Sequence, residues 1–266
     1  YYMNPILDPG KSCGSSGGWE PGGICGYYDY EQIHDDLAMH AAMVYDFAFD
    51  YLSRHPHAHL KEIGKDTKSV AVEVFKRFID IGLVRGGKSG NWNVNGWNMM
   101  LRPVLVLDSD EAYPDGKGKE YYLNLLVNES TPYHDAIPDM LKTYDPVTGL
   151  WPESPGYSFG TIQMLLDWAA PLKRAGIDII AGNPILQKAA MAVFPWMDDA
   201  ANMVVFGDSR GGSANFQTFE NLLAYYAGIT DKAGMEKVAS ALNKGISQKK
   251  YTRNNAGWTG LCTYCL

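Results

Sequence analysis

The sequence predicts an all-α protein whose helices pair into stacked hairpins. In about eight segments, apolar residues recur at spacings of three and four, which is the period of an amphipathic helix. No segment between them shows the strict alternation of apolar and polar residues that is typical of a half-buried strand. Short and long loops alternate between the helices, which favours αα-hairpins stacked as in a toroid or a solenoid.

The first predicted helix covers residues 32–52. Ile33, Leu37, Val44 and Tyr51 lie at helical spacing in this segment, and Pro56 stops the helix shortly after it. The same periodicity predicts further helices over residues 68–83, 96–107, 120–141, 157–175, 185–194, 214–227 and 231–242. Segments rich in Gly, Pro and Asp separate them as loops at residues 85–90, 108–119, 145–155, 176–184 and 207–213.

Several of these loops are long and rich in Trp, Tyr and Asn, which suggests one functional face on a helical scaffold. Residues 10–26 are dense in Gly, Ser and Pro and are predicted to form a loop. The tail changes to β-prone residues. We therefore expect residues 1–250 to form one helical domain and residues 251–266 to begin a β-rich domain or a linker.

The charge limits the possible partners. The formal net charge of −7 argues against a nucleic-acid partner, because phosphates demand a broad basic surface. No run approaches the ~20 apolar residues of a membrane helix, so we expect no membrane span. An anionic partner would need a local cluster of cations. The candidates are Arg85, Lys88, Arg102 and Arg210.

Metal and cofactor motifs are weak. The cysteines form two pairs in sequence, Cys13 with Cys25 and Cys262 with Cys265. Zinc would need two more ligands at matching spacing and a redox motif would need a βαβ setting, so buried thiols or a disulfide are favoured. His55, His57 and His59 alternate in a predicted polar loop, where solvated side chains are favoured over a metal site. No nucleotide fingerprint or Ser-His-Asp signature is present, and we expect no cofactor.

Two aromatic segments, one rich in amides and one in glycine, enter predicted helices. They read NWNVNG at residues 91–96 and WPESPGYSFGT at residues 151–161. Two further segments accompany them, HAAMVYDFAFDYL at residues 40–52 in the first predicted helix and VFGDS at residues 205–209. Taken in chain order, the four segments resemble the AYD helix and then the NWNxVxNG, EGPGYWxYGT and FGDS patterns of heparinase II/III-like polysaccharide lyases. The resemblance covers most of residues 34–209.

This resemblance implies an incomplete (α/α) toroid followed by a β-sandwich, with the active site in the cleft between them. It also implies β-elimination in an anionic, uronate-containing polysaccharide or oligosaccharide, such as heparin, heparan sulfate or alginate, in a periplasmic or secreted setting. Tyr157 matches the Tyr of the EGPGY pattern and is implied as the proton-transfer residue. Asn91, with Asn95 next, is implied as the amide that neutralises the uronate carboxylate.

The chain departs from the family pattern around Tyr157, with Glu-Ser-Pro in place of Glu-Gly-Pro and Ser-Phe-Gly in place of Trp-x-Tyr-Gly. These changes alter the shape that we expect for the substrate subsite. Tyr1 is not an initiator Met, so we expect the chain to belong to a longer protein.

The same chemistry can be argued from the residue types. The C5 proton of a uronate leaves only if charge building on the adjacent carboxylate is stabilised, which suits amide donors. One Tyr hydroxyl can take that proton and then protonate the leaving oxygen. A free Tyr has a pKa of about 10, so it needs cationic or hydrogen-bonding neighbours in order to act as a phenolate. The candidate substrate-binding residues are Glu153, Trp92, Trp97, Arg85 and Arg210.

Each of these asparagines and Tyr157 also has a plainer structural interpretation. Asn91 and Asn93 would cap a helix that begins near Gly96, and Asn95 would be a turn residue before that glycine. Tyr157 would be a packing aromatic at a helix start.

The function also has two alternatives. One is an (α/α)-barrel glycoside hydrolase, in which Glu153 and Asp208 flank the glycosidic bond. The other is a non-catalytic carbohydrate-binding protein.

Overall fold

The computed structural model describes residues 37–85, 87–198, 200–209, 212–213, 216–225 and 232–252. The predictions for the four cysteines, Arg210, residues 10–26 and the β-prone residues 253–266 lie outside these residues, as does the side chain of Arg85. The chain divides into two compact units, Tyr1–Met140 and Leu141–Leu266, and each is described by itself.

The described part of the first unit contains six α-helices, and its central helix is α4. The helices are α1 (Leu37–Arg54), α2 (Ala58–Glu62), α3 (Thr67–Arg85), α4 (Gly90–Leu105), α5 (Lys119–Val127) and α6 (Ile137–Met140). Helix α4 packs against α1, α3, α5 and α6. Val94, Trp97, Met100 and Leu101 on α4 are fully buried. Each such side chain contributes about 1.5–3 kcal/mol through burial, so α4 organises this unit.

The described part of the second unit is organised around the longest helix, α7. Its elements are α7 (Pro155–Arg174), α8 (Pro184–Ala192), α9 (Phe216–Tyr225), α10 (Lys232–Ser247), the 3-10 helices Leu141–Thr143 and Phe194–Trp196, and the strands β1 (Asn202–Met203) and β2 (Gly212–Ser213). The two strands pair antiparallel. Helix α7 packs against α8 and α9, and α9 packs against α10. Ile162, Leu165, Trp168 and Phe219 form the buried centre of this unit.

The predicted all-α class is confirmed for the described residues, which are mostly helical. Helices predicted over residues 68–83, 157–175 and 185–194 are present with ends shifted by a few residues, and α10 extends beyond its predicted end to Ser247. The described part of the helix predicted over residues 214–227 is Phe216–Tyr225. The two short strands were not predicted. None of the described helices is both long and apolar enough to cross a bilayer.

The single helix predicted over residues 120–141 is wrong. Helix α5 ends at Val127, and α6 begins only at Ile137. Between them, Thr131 Oγ1 accepts hydrogen bonds from the backbone N–H of Tyr133 at 3.2 Å and of His134 at 2.9 Å. This side-chain turn competes with helix formation, and Pro132 cannot donate a helical hydrogen bond. The polar run NESTP at residues 128–132 marks this gap in the sequence, and the predicted helix passed over it.

Two helix starts also differ from the prediction. Helix α4 begins at Gly90 with Ser89 as its N-cap residue, so the NWNVNG segment lies inside the helix. The segment predicted as a polar histidine loop forms the short helix α2. Its N-cap is His57, whose Nδ1 accepts a hydrogen bond from the His59 N–H at 3.2 Å.

Candidate functional site

The NWNVNG segment fastens the loop that follows α5. Asn93 is fully buried, and its Nδ2 donates to the Asp135 carbonyl at 3.0 Å. Its Oδ1 accepts the Asp135 N–H at 3.1 Å, so one amide pairs with both backbone groups of one residue. The Trp97 indole N–H donates to the same carbonyl at 3.1 Å. We call Asn93, Trp97, His134 and Asp135 the amide lock.

These contacts correct three predictions from the sequence. Asn93 does not cap a helix near Gly96, because the helix begins earlier and its side chain reaches Asp135. Asn91 and Asn95 likewise lie within α4 and are neither cap nor turn residues. Trp97 is completely buried, so it is a core residue rather than a sugar-stacking surface.

His134 fills the centre of the amide lock. Its Nε2 lies 2.5 Å from the Gly82 carbonyl, and its Nδ1 lies 3.1 Å from Asn93 Oδ1. A Cβ on Gly96 would stand 2.9 Å from His134 Cε1, so glycine is needed where the ring meets α4. Burial lowers the pKa of His134, and the Gly82 carbonyl and the Asp135 charge oppose that effect. Such an enclosed ring serves structure rather than proton exchange with a ligand.

This environment gives the fold a pH dependence. The pKa of His134 is lower in the folded chain than the unfolded value of about 6.5, so the unfolded chain binds more protons between those two values. We therefore expect the free energy of unfolding to decrease as the pH falls from about 6.5 toward the folded pKa. Urea denaturation at several pH values checks this. The free energy of unfolding should change less with pH in His134→Gln than in the unaltered protein. An identical dependence on pH in both proteins would contradict this role of His134.

Asn91 and Asn95 lie one turn apart on α4, on a face different from that of Asn93. Both are partly exposed, and no side-chain hydrogen bond to another described residue is seen for either amide. Trp92 is partly exposed as well, and Gly87 packs so closely that a Cβ there would stand 2.6 Å from Trp92 Cβ. These three side chains remain accessible to a ligand.

The predicted cation cluster is not formed by the described candidates. Arg102 is buried, and its Nη1 donates to Asn98 Oδ1 at 3.1 Å, so it lies in the core of the first unit rather than in a cleft. Lys88 Nζ pairs with the Asp135 carboxylate at 2.8 Å and donates to the Thr131 carbonyl at 2.7 Å. The ammonium therefore supports the loop of the amide lock.

The WPESPGYSFGT segment begins α7. Ser154 is the N-cap residue and Pro155 occupies the first turn, where a missing N–H has no cost. Trp151 is buried beside Tyr144, with ring centroids 4.9 Å apart, and its backbone N–H donates to Ser158 Oγ at 3.2 Å. Tyr157 stands in the first turn with 44% of its surface exposed. It is therefore available to a ligand and is not the packing aromatic of the plainer interpretation.

The VFGDS segment lies against the amino end of α7. Ser209 Oγ accepts the Gly156 N–H at 2.8 Å, so it satisfies a backbone donor that the helix leaves open. Gly207 adopts φ of +61°, and a Cβ there would stand 3.4 Å from Ser154 Cβ. Two segments that the sequence places more than forty residues apart thus form one surface.

Glu153 and Asp208 interact across this surface. Glu153 is exposed, yet partial burial and the negative charge of Asp208 raise the pKa of its carboxyl group, while the Trp151 indole opposes them. A raised pKa makes a carboxyl group a better candidate for a general acid. The structure thus brings together two of the acidic residues singled out in the sequence.

Glu153 also lines a groove of about 620 Å³. Its walls include Lys142, Tyr144, Trp151, Pro152 and Trp196. Trp196 is partly exposed and meets the exposed Phe206 edge to face, with centroids 5.8 Å apart. Lys142, Trp196 and Phe206 were not identified from the sequence, although exposed aromatics in the predicted loops had indicated a functional face. Among the described residues, no three His, Cys, Asp or Glu side chains are grouped to hold a metal ion.

Comparison of the chain with known protein families, with curated proteins and with solved structures finds no match.

Proposed function

We propose that the protein is a polysaccharide lyase that cleaves a uronate-containing polysaccharide by β-elimination, with its helices forming part of an (α/α) toroid. The main support is the hydrogen bond between Ser209 Oγ and Gly156 N–H. It joins the two family-like segments of the second unit around an exposed tyrosine, Tyr157. The resemblance in sequence implies this role for Tyr157, and a periplasmic or secreted setting suits so large a substrate.

The position of Tyr157 suits proton transfer. Side chains of a helix lean toward its amino end, where the helix dipole favours negative charge. The same dipole favours a uronate carboxylate beside the first turn of α7, where the exposed Tyr157 must take the C5 proton as a phenolate. After the proton moves from C5 to the phenolate oxygen, the pair of electrons forms the C4–C5 double bond and the C4–O bond breaks. The same hydroxyl then returns the proton to the leaving oxygen.

Asn91 keeps the role of amide donor that the resemblance implies. Asn91→Ala should lower turnover about 100-fold, because the lost donor acts on charge that develops in the transition state, with a smaller effect on affinity. Steady-state kinetics on a cleaved uronan separate the two effects. Asn128→Ala, which removes an exposed amide of the same unit, is the control. If affinity falls while turnover at saturation survives, Asn91 only positions the substrate and Asn95 becomes the better candidate.

A glycoside hydrolase is the second candidate, and the raised pKa of Glu153 beside Asp208 favours it. In that mechanism Glu153 donates a proton to the leaving oxygen and Asp208 acts as the second carboxylate. Substitution Glu153→Gln would then abolish cleavage. In a lyase that relies on Tyr157, the same substitution would weaken substrate binding and retain measurable turnover.

Product analysis decides between the candidates. The purified protein is incubated with heparan sulfate, hyaluronan and alginate, and new reducing ends are compared with new ultraviolet absorbance. Elimination produces both in equal amounts, since each cut leaves an unsaturated uronate. Hydrolysis produces reducing ends without absorbance. Binding of a uronan without either product would support the non-catalytic alternative and contradict both enzymes.

A further inference from the structure

We propose that the groove beside Glu153 is a subsite for an uncharged sugar unit, so that the polysaccharide cleaved is one that alternates uronate with a neutral sugar. This inference rests on the proposed function, because it assigns the unit next to the uronate on which Tyr157 acts. Tyr157 follows Glu153 by four residues in the chain, so their Cα atoms lie at most about 14 Å apart. One saccharide chain can therefore reach the groove and Tyr157 together.

The groove combines apolar surface with hydrogen-bond acceptors. Its volume of about 620 Å³ lies within the usual range of small-molecule sites, about 300–1,000 Å³. Trp196 and Pro152 supply apolar surface, on which the C–H face of a pyranose ring can pack. Glu153 supplies carboxylate oxygens that accept hydrogen bonds from hydroxyl groups. A pyranose ring has an apolar face and a rim of hydroxyl donors, so it suits both features.

The charges that line the groove disfavour a unit that carries a carboxylate. Of the three charged residues in its described walls, Asp145 and Glu153 are acidic. The third, Lys142, already has an interaction of its own within the chain. Lys188 does not line the groove, and its Nζ donates to the Pro146 carbonyl at 2.6 Å. A uronate here would face two carboxylates with no available cation among these residues, whereas a neutral unit avoids this repulsion.

The carboxylate of Asp145 is held by its own loop. Its Oδ1 accepts the backbone N–H groups of Val147 at 3.0 Å and Thr148 at 2.6 Å, and the Thr148 hydroxyl group donates to it at 2.8 Å. Glu153 is therefore the acidic side chain of the groove that is left to accept hydrogen bonds from a ligand. One such acceptor suits the hydroxyl groups of a neutral sugar better than it suits a strongly cationic ligand.

Trp196 is fixed before any ligand arrives. Its backbone N–H donates to the Val193 carbonyl at 3.0 Å, and its carbonyl accepts the Val204 N–H at 2.7 Å. The Phe206 ring meets the Trp196 ring edge to face, with centroids 5.8 Å apart. Both rings keep exposed surface. A stacking surface fixed in this way loses little conformational freedom when a sugar binds, which favours binding.

The test measures binding of tetrasaccharides by calorimetry at neutral pH. Hyaluronan and N-acetylheparosan supply ligands that alternate uronate with a neutral N-acetylhexosamine, and alginate supplies one in which every unit is a uronate. The alternating ligands should bind at least about tenfold more tightly than the alginate ligand. Trp196→Ala should weaken binding of the alternating ligands about tenfold, and Trp196→Phe should recover part of the loss because it retains a ring.

Glu153→Gln separates the effect of charge from that of shape. It should tighten binding of the alginate tetrasaccharide about fivefold, because it removes a negative charge that opposes a uronate in the groove. It should weaken binding of the alternating ligands about twofold, because a neutral amide accepts hydrogen bonds less strongly than a carboxylate. Glu236→Gln and Ile246→Ala are the matched controls, since both side chains are exposed on α10 and lie outside this groove. Both should leave all affinities unchanged.

Circular dichroism identifies any variant that fails to fold, and Glu153→Gln decides the question if both Trp196 variants do. Equal or tighter binding of the alginate ligand by the unaltered protein, binding of none of the ligands at millimolar concentration, or unchanged affinities in the folded variants would overturn the subsite. Faster release of ultraviolet-absorbing product from alginate than from the alternating uronans would also overturn it and would retain the lyase. An absence of such product from every uronan, with the binding pattern intact, would overturn the lyase alone.

Discussion

Tyr157→Phe should reduce the turnover of uronan by at least ~100-fold while the protein remains folded. The substitution retains the ring and removes only the hydroxyl group that exchanges the proton. Because 44% of Tyr157 is exposed, the loss of one oxygen leaves no buried group without a partner. The measurement is the initial rate of absorbance of the unsaturated product at saturating substrate, together with the thermal unfolding midpoint.

Tyr133→Phe is the control for this experiment, because Tyr133 is another tyrosine with a comparable exposed fraction, 47%. It should cleave uronan at the rate of the unaltered protein. Turnover of Tyr157→Phe close to that rate would exclude Tyr157 as the proton-transfer residue. The carboxylate pair of Glu153 and Asp208 would then become the leading candidate for the chemistry.

The helices could be predicted from the sequence where one apolar face meets a core. Helices α7 and α8 follow the three-four period over their whole length, and each has a proline in its first turn as a local start signal. The gap between α5 and α6 shows in the sequence only as the polar, proline-containing run at residues 128–132, and its fastening to α4 does not show there at all. There Thr131 and Asn93 fix the chain through hydrogen bonds, one of which spans forty-two residues, and an apolar pattern carries no record of them.

The candidate site was predictable in part. The exposure of Tyr157 is compatible with the role that the resemblance implies, and the electrostatic coupling of Glu153 with Asp208 is compatible with the glycoside hydrolase alternative. The role of Asn93 was missed because an asparagine beside a helix start also suits a cap, and only the distance to Asp135 distinguishes the two. Trp196 was missed because it belongs to a 3-10 helix that follows α8, where the sequence shows only a helix end.

Asn93→Ala should lower the free energy of unfolding by about 2–4 kcal/mol. The substitution leaves the partly buried N–H of Asp135 and the buried ring of His134 without the oxygen that they now face. It also opens a space at Asn93, which is fully buried. The Asp135 carbonyl keeps its hydrogen bond from the Trp97 indole N–H, which limits the loss of stability. Urea denaturation gives the free energy, and hydrogen exchange at the Asp135 amide reports the loop directly.

Asn95→Ala is the matched control, since it removes the same amide two residues along α4 from a partly exposed position. It should change stability by no more than about 0.5 kcal/mol. If Asn93→Ala were as stable as Asn95→Ala, with slow exchange retained at Asp135, the amide lock would not be what holds the loop. With the expected difference, Asn93 is required for the fold, so its substitution is unsuitable for assigning a catalytic role. The partly exposed amides Asn91 and Asn95 can then be tested for action on a substrate without first disturbing α4.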